Sequence, residues 1–139
     1  MYAKVLVPLE NSRSDQAIVD HVRELARLHG SSLLLIHVAD GFVARYQNQL
    51  DLQDSEEMRK DRAYLERRRA ELAAEGFQVE TRLEQGDPAR RIVQVAEDRG
   101  CDLIAMATHG HGIVKDILLG SVAAGVRHRT RIPVLLVRA

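Results

Sequence analysis

The sequence holds a single cysteine, Cys101, and no tryptophan. One thiol cannot form an intramolecular disulfide, which fits a reducing compartment and leaves stability to the core. Cys101 stands beside an apolar segment and reads as a small buried hydrophobe. Charge of one sign is also missing: 20 basic and 20 acidic residues give a formal net charge of zero. Nucleic acid is therefore not expected as the main partner, because no basic excess would offset its phosphates. No apolar run approaches the length of a membrane span, and no charged-then-apolar leader opens the chain, so a cytoplasmic protein without membrane contact is expected. The catalytic signatures are absent too. There is no GxxxxGK[ST], no CxxC, no HExxH and no GxSxG, and Gly110 and Gly112 begin a GxG whose third glycine position is Lys115. Hydrolase and redox chemistry thus gain no support, and no catalytic residue is assigned.

What is present is a chain of 139 residues, 45% hydrophobic and 29% charged, enough for one globular domain with its own core. Tyr2 to Leu9 reads as a first strand, with Pro8 ending its ladder because proline has no N–H. Ser12 or Ser14 is placed to cap the helix that follows. Its apolar stripe is Ile18, Val22, Leu25 and Leu28, and Gly30 suits the position just past its end. Ser32 to Ala39 is an almost unbroken apolar run, the pattern of a parallel strand covered on both faces. From Asp40 to about Leu52, with Phe42 and Tyr46, no period holds, and a loop or lid is expected.

From Asp54 to Ala74 the pattern is helical, with Met58, Leu65 and Leu72 recurring every seven residues. Glu56–Lys60 and Arg67–Glu71 have i,i+4 spacing for ion pairs. Arg67, Arg68 and Arg69 have acidic neighbours on both sides and read as a solvated face. Phe77 to Leu83 alternates as an edge strand does. Asp87 is an N-cap with Pro88 in the first turn, Ile92, Val95 and Ala96 line that helix's inner face, and Gly100 ends it. A strand at Asp102–Ala107, a helix from about Ser121 to Arg129 and a strand at Pro133–Arg138 complete the chain. Strict β-α alternation predicts a single doubly wound α/β domain over residues 1–139, a five-stranded parallel sheet with helices on both faces.

The segment from Cys101 to Val122 carries the chemistry. A buried strand runs into the turn Thr108-His109-Gly110-His111-Gly112, and Gly120-Ser121 follows. Glycines after a strand let a backbone approach phosphate, and N–H groups at a helix start can receive it. The same residues also suit an ordinary strand-loop-helix corner. His109 and His111 are two apart and lack a third ligand for a metal. Their HxH spacing after the fourth strand also differs from the HxGH after a first strand in nucleotidyltransferases. His37 reads as a strand-end histidine, and His21, His29 and His128 as surface residues.

Taken together, the order of elements, the turn Gly86-Asp-Pro-Ala89 and the segment MATHGHGIVKDILLGSV resemble the universal stress protein family along the whole chain. Nucleotide-binding members carry glycine, two residues, glycine, nine residues, then glycine and Ser/Thr. Gly110 followed after nine residues by Gly120-Ser121 matches this, whereas Ala107 stands at the first glycine. Glu10 stands, two residues after Pro8, where the family commonly has Asp.

The resemblance implies strand order 3-2-1-4-5, with a ligand crevice between strands one and four. It implies that Pro8 and Val38 flank adenine, with Leu9 beside them. Ala107 and Thr108, and the loop of His109, Gly110, His111, Gly112 and Ile113, would follow ribose and phosphates. Gly120, Ser121 and Val122 would receive the phosphate tail, with Lys115 as a further contact or a solvated side chain. Glu10 would meet a ribose hydroxyl or a nucleotide-bound magnesium. The expected function is binding of ATP or another adenine nucleotide as a stress-response sensor or switch. The expected assembly is a homodimer joined through the C-terminal edge strand, acting on unknown protein partners. Two alternatives stand beside it: a dimeric interaction module of the same fold that needs no nucleotide, and slow ATP hydrolysis.

Overall fold

Val5–Val7 and Leu33–Ile36 expose 1% of their surface or less, which neighbouring residues of a strand achieve only when both faces of the sheet are covered. The computed structural model describes residues 1–40, 51–108 and 113–139. In chain order these form β1 (Lys4–Pro8), α1 (Ser14–His29), β2 (Ser32–Asp40), α2 (Asp51–Ala74), β3 (Val79–Gly86), α3 (Pro88–Asp98), β4 (Leu103–Thr108), α4 (Ile113–Arg129) and β5 (Val134–Arg138). The strands make one sheet in the order β3-β2-β1-β4-β5, and every pairing is parallel. The fold class and strand order are those expected.

The period of two along each strand sorts the core into two layers. Val5, Val7, Leu33, Leu35, Leu103 and Ala105 face α1 and α2, where they meet Ile18, Val22, Leu65 and Leu72. Leu6, Leu34, Ile36, Ile104 and Met106 face α3 and α4, where they meet Ile92, Val93, Ala96 and Val126. Cys101 is buried in this second layer, and burial pushes its thiol pKa up. Asp102 ties the start of β4 to that of β1 by accepting from the N–H groups of Ala3 (3.0 Å) and Lys4 (3.1 Å). Among the described residues no helix is long and apolar enough to cross a membrane.

Several boundaries differ from expectation. α1 has Arg13 at its N-cap with no capping side chain; neither Ser12 nor Ser14 takes that role. Leu28 leaves the α1 stripe and is 84% exposed. Ten residues beyond Ile18, at about 100° per residue, it points about 80° away from it. Gly30 does end α1 with φ +64°, a left-handed conformation that costs glycine nothing. β3 begins at Val79 rather than Phe77, and Phe77 packs on the first core layer under the Arg27 guanidinium. On α2, among the described residues, ion pairs join Arg68 to Glu71 and Arg69 to Glu66, three apart, while Arg67 lies over the Tyr64 ring. The largest difference is α4, which starts at Ile113, so Gly120 and Ser121 lie inside the helix and not at its first turn. The anticipated lid segment with Phe42 and Tyr46 lies outside the described residues apart from Asp40, which ends β2, and the start of α2.

Candidate functional site

β1 pairs with β4 only at Val5–Leu103 and Leu6–Ile104, whereas its pairing with β2 continues to Pro8–Ile36. Beyond Leu6 the two strands part. Their connections run to opposite sides of the sheet, β1 towards β2 and β4 towards β5, which opens a crevice at their carboxyl ends. A cavity of about 300 Å³ occupies this place. Ile36, Val38, Ile92 and Met106 supply an apolar side, Pro8, Leu9 and Glu10 form one wall, and Ala107, Val122 and Pro88 approach from the other elements. Pro88 is there because Asp87 caps α3, accepting from the Arg90 N–H at 3.0 Å, and so sets where the helix begins.

The wall after β1 is held by side chains. Asp15, 1% exposed, accepts from the N–H groups of Glu10, Asn11 and Ser12 and from the Tyr64 hydroxyl. Burial first, and the bond to Asp15 next, push the Tyr64 phenol up to about 12, so it remains a donor. His37 closes the wall from β2, with Nδ1 2.8 Å from the Leu9 carbonyl oxygen and Nε2 3.4 Å from Asp61 on α2. Oε2 of Glu10 lies 3.4 Å from the Ser12 hydroxyl and 3.3 Å from that of Ser14, and these hydroxyls are 2.7 Å apart.

Of the residues singled out from the sequence, Pro8, Leu9, Glu10, Val38, Ala107 and Val122 line the cavity. Thr108 is half-buried at the end of β4, and its carbonyl accepts from Ala139 at 2.7 Å. Gly120 and Ser121 are exposed on α4 and do not line the cavity. Ile113 is the first residue of α4; His109, Gly110, His111 and Gly112 lie outside the described residues.

Asp15, Ile36, His37, Pro88, Ile92 and Met106 line the cavity without having been assigned to it. His37 and Pro88 carried a usable signal, since each stands at or just after the carboxyl end of a strand in a parallel sheet. Asp15 carried none: an acidic residue in a first helical turn reads equally as a partner of the helix dipole.

The chain that folds into this five-stranded parallel sheet of order 3-2-1-4-5 matches the family model described as "Universal stress protein family" over residues 1–138. The chain belongs to the universal stress protein family. Universal stress protein MJ0577 of Methanocaldococcus jannaschii is 31% identical over 158 residues, covering 99% of this chain and 96% of the relative. The solved structure of MJ0577 superposes with a TM-score of 0.81 at 34% identity, covering 100% of this chain and 97% of that one. Two more distant universal stress proteins share the fold. One, from Archaeoglobus fulgidus, was solved in complex with dAMP, at TM-score 0.68 and 22% identity over 97% of both chains. The other was solved in complex with cAMP, at TM-score 0.70 and 24% identity over 99% of this chain and 97% of its own.

Proposed function

We propose that this chain binds an adenine nucleotide, ATP or a close relative, in the crevice between β1 and β4, and works as a nucleotide-dependent switch. The observation that carries the reading is the crevice itself. It offers about 300 Å³ at the switch point, with an apolar side suited to a base, beside the strand from which the glycine motif continues. The cAMP and dAMP held by two proteins of this fold are ligands of the same class. Pro8 and Val38 flank the adenine, the Gly110 loop follows ribose and phosphates, and Val122 with Gly120 and Ser121 meets the phosphate end. Among the described residues no three metal-ligating side chains gather. Magnesium, in this proposal, arrives on the phosphates, with Glu10 offering one carboxylate.

The partner in assembly is a second copy, joined edge to edge through β5. The two sheet edges differ: β3 presents Glu80 and Arg82 to solvent, which discourages pairing, whereas β5 presents Leu136 at 40% exposure.

A nucleotide-independent interaction module is the rival reading, favoured by the Glu10 carboxylate lying against Ser12 and Ser14. Calorimetric titration with ATP, with and without magnesium, decides between them, together with chromatography of any nucleotide released from the purified protein. Saturable binding at one site per chain is expected; no uptake of any adenine nucleotide overturns the proposal. Phosphate release in the same samples tests for slow hydrolysis.

A further inference from the structure

Asp15 lines the crevice, exposes 1% of its surface and has no part in the glycine motif. Its Oδ1 accepts from the Glu10 N–H at 2.9 Å, and its Oδ2 from Asn11 at 2.8 Å and Ser12 at 3.3 Å. Three consecutive backbone donors of the crevice wall thus converge on one side chain. Asn11 sits there at φ +62°, a left-handed conformation that asparagine tolerates but that needs something to hold it. What holds the carboxyl is Tyr64 on α2, whose hydroxyl donates to Oδ2 at 2.5 Å. Tyr64 is fixed in turn, since Arg68 Nε donates to its oxygen at 3.2 Å while the same guanidinium reaches Gln16 on α1. A second contact from α2 meets the same wall three residues earlier, where Asp61 faces His37 and His37 faces the Leu9 carbonyl. α2 therefore grips the wall on both sides of Glu10.

We infer that Tyr64 and Asp15 are a positioning pair that sets the Leu9–Ser12 wall, and that through them α2 registers whether the crevice is filled. The inference rests on the proposed nucleotide site only for the identity of the occupant. A ligand seated against Leu9 and Glu10 favours one wall conformation, the one to which Tyr64 bonds. The coupling is reciprocal: what steadies the wall tightens the ligand, and the ligand steadies α2.

Residue-resolved hydrogen exchange of the full chain tests the pair, in Tyr64→Phe, which keeps the ring, and in Asp15→Asn, which keeps the shape. Both variants are expected to speed exchange of the Glu10, Asn11 and Ser12 amides by about tenfold or more relative to the core amides of Leu34–Ile36. Exchange that is unchanged, or that rises only in step with the core, overturns the inference, because a merely structural loss moves all amides together. In the parent, ATP with magnesium should slow exchange across residues 58–68, and Tyr64→Phe should lose this response and bind ATP about tenfold more weakly. A loosened wall with parental ATP affinity overturns the link to the crevice. If the parent takes up no adenine nucleotide, the proposed function falls, and the amide exchange of the two variants still decides whether the pair sets the wall.

Discussion

Ala107 stands where the nucleotide-binding pattern has glycine, and strand alternation decides what its methyl does. Met106 turns towards α3, so Ala107 turns the other way and packs, with Leu135 and Val137, on the layer of Val5, Val7 and Ala105. The departure is a packing choice at the rim of the crevice. Ala107→Gly is expected to lower stability by about 0.5–1 kcal/mol through backbone entropy and to leave ATP affinity within about twofold. A variant that binds ATP more tightly would place the methyl against the ligand. Tyr64 gives a second prediction at this scale. Its pKa of about 12 stands above the ordinary value near 10. The stabilisation from its protonated form is therefore whole below pH 10 and is lost as pH rises through the folded value. The urea midpoint of the parent should exceed that of Tyr64→Phe by a constant amount from neutral pH to about pH 9, and the gap should close above pH 10.

Two glycines of α4 look alike in sequence and differ in the fold. A Cβ on Gly120 meets nothing within 4 Å, whereas one on Gly125 would lie 2.8 Å from the Ala89 Cβ of α3. Gly125 is thus a point of close approach between the two helices, and Gly125→Ala should cost about 1–3 kcal/mol, read as a lower urea midpoint. Gly120→Asp should leave that midpoint near the parent's, its side chain being free to reach solvent. It should weaken ATP binding about tenfold by placing a negative charge beside the phosphate end. Equal binding by Gly120→Asp and the parent would remove Gly120 and Ser121 from the site. The expectation placed Gly120-Ser121 at the mouth of a helix, whereas α4 runs through both residues. In an exposed helix interior glycine costs only about 1 kcal/mol, too little to stop a helix that Ala123 and Val126 anchor.

For the whole molecule the two sheet edges bear on the assembly proposed above. β3 carries the ion pairs of Glu80 with Lys4 and Arg99 and of Glu84 with Arg82 and Arg91, a charged border unfit for a second strand. β5 offers Leu136 and, among the described residues, pairs only with β4. Leu136→Lys is expected to move the sedimentation coefficient from dimer towards monomer without changing the far-ultraviolet circular dichroism. An undiminished dimer would locate the interface on another face.

The sequence by itself determined the order of elements and the class of fold. Its signals there are local: the unbroken apolar run of Ser32–Ala39, the Asp87-Pro88 start of α3, and Gly30 past the end of α1. Each of these follows from backbone conformation or from burial of a single segment. Through the family resemblance it also marked Pro8, Leu9, Glu10 and Val38, all of which line the crevice. Only the tertiary structure decided that Asp15 would knot the wall, that Tyr64 would reach it across 49 positions, and that Gly125 would touch Ala89. Such contacts join residues whose neighbours in sequence say nothing of each other, and their geometry exists only once α1, α2 and α3 are packed on the sheet. Leu28 and Ala107 teach the same lesson at smaller cost: composition says apolar, and the angle about a helix or the face of a strand says where the methyl goes.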